Sequence, residues 1–137
     1  VDWDAEIGGR RRPADHAYWV RDTDAVPLWL RRAGQPVGYA YVRLRDREYV
    51  WHPEAVTVGP VGARTPDDAA GCVAAAVRWA AGRGPSIRVF VPGPHPALGA
   101  LLDAGFRITE DHDTLAATHP TLFAGPRRYL PSGGTLF

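Results

Sequence analysis

The stretch from Thr65 to Ala81 leaves the chain little local choice. Thr65 carries the hydroxyl of an N-cap, and Pro66 suits the first helical position, where its missing N–H is not needed. Asp67 and Asp68 favour the positive end of a helix dipole. Thr65 and Asp68 also have capping-box spacing, with Asp where Glu is usual. Ala69, Cys72, Val73, Ala76, Val77, Trp79 and Ala80 then fall on one side, a stripe of roughly 160° at about 100° per residue. Arg78 and Gly71 lie opposite, and Gly82 and Gly84 end the helix. A helix with one apolar stripe must bury it against another layer, and the flanking segments say which.

Those segments read as strands. Leu28-Trp29-Leu30 and the run Val37 to Leu44 are separated by Ala33-Gly34-Gln35-Pro36, which predicts a β-hairpin. A turn at Arg45-Asp46-Arg47 opens Tyr49-Val50-Trp51. After Pro53, which should bulge or break a strand or confine it to an edge, comes Ala55-Val56-Thr57-Val58. Beyond the helix, Ile87 to Val91 is a short strand between Pro85 and Pro92. A second helix fits Pro94 to Ala104, with Ala97, Leu98, Leu101 and Leu102 inward and a stop at Gly105. Phe106-Arg107-Ile108-Thr109 starts another strand, and Arg127 to Leu130 is a final one. Residues 1–25 show no clean period and predict an irregular entry with one short helix from Pro13 to Trp19. The expected organisation is an entry segment over residues 1–26 and one domain over 27–137. The expected fold class is α/β (α+β), with a mixed, mostly antiparallel sheet flanked by helices.

Composition narrows the function. A chain of 137 residues buries enough surface to need no disulfide or metal staple. Its formal net charge is +1, so no global field favours nucleic acid or an acidic membrane, and neither is expected as a partner. All 16 basic residues are Arg, which reads as coding bias more than as a phosphate-binding device. The triple Arg at 10–12 is diluted by Asp2, Asp4, Glu6 and Asp15. No apolar run approaches the roughly 20 residues that cross a bilayer, and the N-terminus lacks the layout of a signal peptide. The default expectation is a soluble cytoplasmic domain. Val1 in place of an initiator Met reads as a cut point within something longer. Trp29, Tyr39, Tyr41 and Trp79 lie within regular elements, and are expected to serve packing and partner contacts.

Catalytic patterns are sparse. The single cysteine, Cys72, lies inside the apolar stripe and reads as a buried structural thiol. Glu110-Asp111-His112-Asp113 holds four metal-ligating side chains, but on a strand only alternate residues share a face. With no HxH or HExxH spacing, no metal is expected. His16, His52, His95 and His119 are scattered, and neither Ser86 nor Ser132 sits in a G-x-S-x-G turn. Without Lys there is no P-loop.

The order meander, Val56-Thr57-Val58-Gly59-Pro60 strand end, long amphipathic helix, short strand, second helix ending Ala104-Gly105-Phe106 and closing strand resembles the GNAT superfamily of N-acetyltransferases. Val58-Gly59-Pro60 is similar to the Val-x-Pro of that family's fourth strand, and Gly105-Phe106 to the Gly-Phe after its fourth helix. The resemblance covers residues 27–130 and is nearest to the C-terminal half of a tandem GNAT protein. It implies acetyl-CoA as cosubstrate, cofactor contacts at Val56, Val58 and Arg64, and Glu54, four residues before Val58, as the general base. The chain departs from the family where the pyrophosphate would bind. Ala63-Arg64-Thr65-Pro66-Asp67-Asp68 replaces Arg/Gln-x-x-Gly-x-Gly/Ala, so only Arg64 remains to attract phosphate. Leu101 stands in place of the family's general-acid Tyr, and Pro94 in place of an Asn.

The expectation drawn from this is a degenerate half of an acetyl-CoA-dependent N-acetyltransferase. It would complete the substrate cleft and pack on a catalytic GNAT domain or a second copy of itself. The alternatives are an active acyl-CoA transferase acting on a small-molecule or peptide amine through Glu54, and a non-enzymatic ligand-binding or dimerisation module.

Overall fold

The computed structural model describes residues 3–9, 11–21, 23–45, 53–93, 95–109 and 127–131. Two short helices, α1 (Trp3–Gly8) and α2 (Pro13–Arg21), precede the hairpin β1 (Ala25–Arg32) and β2 (Gln35–Arg43). Then follow β3 (Val56–Ala63), α3 (Pro66–Ala80), β4 (Ile87–Val89), α4 (Ala97–Asp103) and β5 (Tyr129–Leu130). The sheet runs β1-β2-β3-β4, with β5 also on β3. Only the β3–β4 pair is parallel; the sheet is mixed and mostly antiparallel, between helices, as the sequence predicts.

The hairpin turns on two residues. Ala33 (φ 49°) and Gly34 (φ 79°) both sit in the left-handed region, as a tight turn matched to strand twist requires. Gln35 and Pro36, read from the sequence as part of the turn, already belong to β2. Along β2 the side chains alternate. Ala40 and Val42 join the core under α3 with Val56, Val58 and Val61, whereas Tyr39 and Tyr41 join a second core with Ile7 and Trp19 of α1 and α2. The sheet is thus covered on both faces.

β3 changes partner halfway along its outer edge. Val56 to Val58 pair with β4, while Val61 and Gly62 pair with Leu130 and Tyr129 of β5. Between them lie Gly59, whose φ of 146° favours glycine, and Pro60, which has no N–H to give a ladder. The register with β2 also shifts here, between Ala40 and Val42. A proline inside a covered strand is tolerated because it falls at this irregularity.

α3 begins as its sequence dictates. The Thr65 hydroxyl oxygen accepts from the Asp68 N–H at 3.2 Å and donates to Asp68 Oδ2 at 2.7 Å. Two readings come out differently, and a third is untested. The first 26 residues hold two helices where one was expected. Phe106 to Thr109 form no strand and pair with none of the described strands. Tyr49 to Trp51 lie outside the described residues. Among the described residues no helix is long and apolar enough to cross a membrane.

Candidate functional site

The residues singled out by sequence line β3 from end to end. Glu54 is exposed, in the turn before the strand. Val56 and Val58 are 0% and 1% exposed and pack under α3; Val58 pairs with Val42 on one side and Val89 on the other. Their side chains are core. Arg64, just past the strand, is exposed, and its guanidinium lies 4.9 Å over the Trp3 ring. Glu54 and Arg64 therefore stand at opposite ends of the strand, roughly 30 Å of chain apart at about 3.3 Å per residue. Nothing brings the two together.

The start of α3 is already furnished. Asp68 projects back toward Thr65, and its Oδ1 lies 2.7 Å from Arg32 Nη1. Pro66 supplies no N–H, and the Asp68 N–H is taken by Thr65. A carboxylate of the chain itself holds the place where an anion would sit. One turn on, Cys72 is buried, and burial followed by the Asp68 charge pushes its thiol up to about 11. It is no nucleophile at neutral pH.

A cavity of about 280 Å³ opens on the other face of the sheet. Its polar end is a network assembled from three elements. Tyr39 donates its hydroxyl proton to Asp4 Oδ1 at 2.9 Å. His16 lies between acid and phenol, with Nε2 3.5 Å from Asp4 Oδ1 and Nδ1 2.8 Å from the Tyr41 oxygen. With the carboxylate holding a proton on Nε2, Nδ1 accepts from Tyr41. Burial works to raise the Asp4 pKa, but hydrogen bonds from His16 and Tyr39 and the charge of Arg12, 3.7 Å away, leave it below the ordinary carboxylate value. Burial, then the Tyr129 and Asp4 charges, raise Tyr39 far above an ordinary phenol. Tyr41 is raised by burial and by Asp4. The network gathers a carboxylate, an imidazole and two phenols whose pKa values are raised, and it supplies no activated nucleophile.

The rest of the cavity wall is apolar, with Trp3 and Trp29 beside Pro27, Leu28 and Ala40. Trp3 and Trp29 meet edge to face with ring centroids 5.5 Å apart, and Trp29 is 59% exposed at the rim. Tyr39 rests on Gly62, where a Cβ would come within 2.6 Å of its ring. Sequence reading assigned these aromatics to packing. The signal it passed over was the pair Tyr39 and Tyr41, two apart on a strand and so on the face away from α3.

Comparison with protein-family models, with curated proteins and with solved structures returns no match. The chemistry of this chain is read from its own residues. Among the described residues, no group of three or more His, Cys, Asp or Glu side chains is placed to share a metal ion. His52, His112, His119 and Ser132 lie outside the described residues.

Proposed function

We propose that this chain is a GNAT-like domain that does not hold acetyl-CoA, and that it completes the substrate cleft of a catalytic partner domain or of a second copy. The mixed sheet, with the parallel β3–α3–β4 crossover, supports the family reading. The observation that carries the non-catalytic part is the buried Asp68 carboxylate at the first turn of α3, held by Thr65 and Arg32. A second negative charge about 4 Å away costs roughly 1 to 4 kcal/mol depending on screening, which weakens binding about tenfold to several hundredfold. The gap that opens where β3 leaves β4 is filled by the chain's own residues 128–130, with Ala63 N–H donating to Arg128 O at 2.7 Å.

Calorimetric titration of the folded protein with acetyl-CoA tests this. The expected result is no saturation below millimolar concentration. Micromolar affinity would overturn it in favour of an acyl-CoA N-acyltransferase, and lost turnover in Glu54→Gln would then name the base. A second reading, a non-enzymatic ligand-binding module, is favoured by one further observation: the aromatic cavity beside Asp4.

A further inference from the structure

That cavity has a chemical bias that the GNAT-like reading does not use. Of the residues lining it, Asp4 is the one acid, and none is an Arg. Half of the remaining lining residues are Trp or Tyr: Trp3, Trp29, Tyr39 and Tyr41. Aromatic faces present the negative lobe of a quadrupole, so rings and carboxylate favour the same sign of guest. Arg12, which partly compensates Asp4, approaches Oδ1 at 3.7 Å and does not line the cavity. Nor does Arg64, which already uses the Trp3 ring as a cation platform at 4.9 Å.

The hydrogen-bonding capacity selects further. Asp4 Oδ1 is engaged with Tyr39, and Oδ2, buried, accepts no hydrogen bond. Tyr41 is engaged with His16. A primary ammonium brings three N–H donors, and the one carboxylate oxygen without a hydrogen bond is shut off from the cavity. A trimethylated or quaternary ammonium brings one donor or none, and its N-methyl groups match the rings. At about 280 Å³ the space is at the small end of ligand pockets, enough for a head group.

We propose that the cavity between α1, β1 and β2 binds a trimethylated or quaternary organic ammonium ion, with the N-methyl groups against Trp3, Trp29 and Tyr41 and the charge facing Asp4. This rests on the ligand-binding reading above and is independent of whether acetyl-CoA binds. The test is NMR titration of the full chain, following the tryptophan side-chain N–H signals at matched ionic strength. The probes are tetramethylammonium chloride, methylammonium chloride and the neutral isostere tert-butanol. The expected result is saturable shifts of the Trp3 and Trp29 signals with tetramethylammonium, and at least about fivefold weaker binding for the other two. Trp29→Ala, at an exposed position and checked for folding by circular dichroism, should weaken tetramethylammonium binding by about fivefold or more. Asp4→Asn should weaken it by about tenfold. Equal or tighter binding of tert-butanol or methylammonium overturns the ligand class and leaves the cavity a binding site. Silence from all three probes overturns both the class and the ligand-binding reading, and undiminished affinity in a folded Trp29→Ala overturns the aromatic seat.

Discussion

Taking the protein from pH 7 to pH 4 forces a charge onto His95, and among the described residues it has no acidic partner. His95 is 3% exposed at the first turn of α4, where its Nδ1 accepts the Ala97 N–H at 3.1 Å. Burial lowers its pKa from 6.5 to about 4. Between those values the unfolded chain binds the extra proton and the folded one does not. Stability from this group is therefore complete above 6.5 and falls steadily as the pH drops toward 4. At about 1.36 kcal/mol per unit the full displacement is worth about 3 kcal/mol, of which roughly 2 kcal/mol is gone at pH 5. Set against a domain stability of about 5 to 15 kcal/mol, that is a large share. Protonation also turns Nδ1 from acceptor to donor facing another N–H, so the α4 start should open first. Urea denaturation at pH 7 and pH 5, on wild type and His95→Gln, isolates the effect. The lowered carboxyl of Asp4 loses its contribution only below its ordinary 3.8, outside this window. Other histidines cancel in the difference. Wild type should lose roughly 2 kcal/mol more than the variant between the two pH values. Identical losses in both proteins would refute the reasoning.

Two other outcomes follow from packing. Gly62→Ala places a Cβ 2.6 Å from the Tyr39 ring, which the Asp4 hydrogen bond holds in place, so it should cost about 1 to 3 kcal/mol in urea denaturation. A wild-type midpoint in that variant would show that the ring moves freely. Cys72, 2% exposed and with its thiol raised to about 11, should react with a disulfide reagent at pH 8 only as fast as the protein unfolds. Stability should also fall as the pH climbs from 9 toward 11. Rapid labelling of the native protein in an absorbance assay would contradict the buried placement.

What could be read in advance depended on the range of the forces involved. The start of α3 is a matter of four consecutive residues, and the cap between Thr65 and Asp68 lies where their spacing predicts. The apolar stripe with Cys72 at its centre needed only a period. β3 running on past Pro60 to Ala63 needed a partner more than sixty residues away, since Leu130 supplies the pairing for Val61. α1, six residues long, is too short to be stable by propensity; it is held by Ile7 and Asp4 docking on the sheet. The cavity was illegible for the same reason. Asp4 and Tyr39 are 35 positions apart, and no local pattern announces that an acid at one end of the chain faces a phenol in β2.

Arg128 gives the molecule an order of assembly in time. Its Nη2 donates to Glu6 O at 2.8 Å, its Nη1 to Arg64 O at 3.1 Å, and its carbonyl takes the Ala63 N–H. One late residue latches the first helix and the middle strand together. While the chain is still being translated, everything up to α4 can emerge with the outer edge of β3 bare beyond Pro60. Unpaired strand edges recruit other extended segments. A chain cut before residue 128 should therefore expose that edge to neighbouring chains, whereas here residues 129 and 130 cover it.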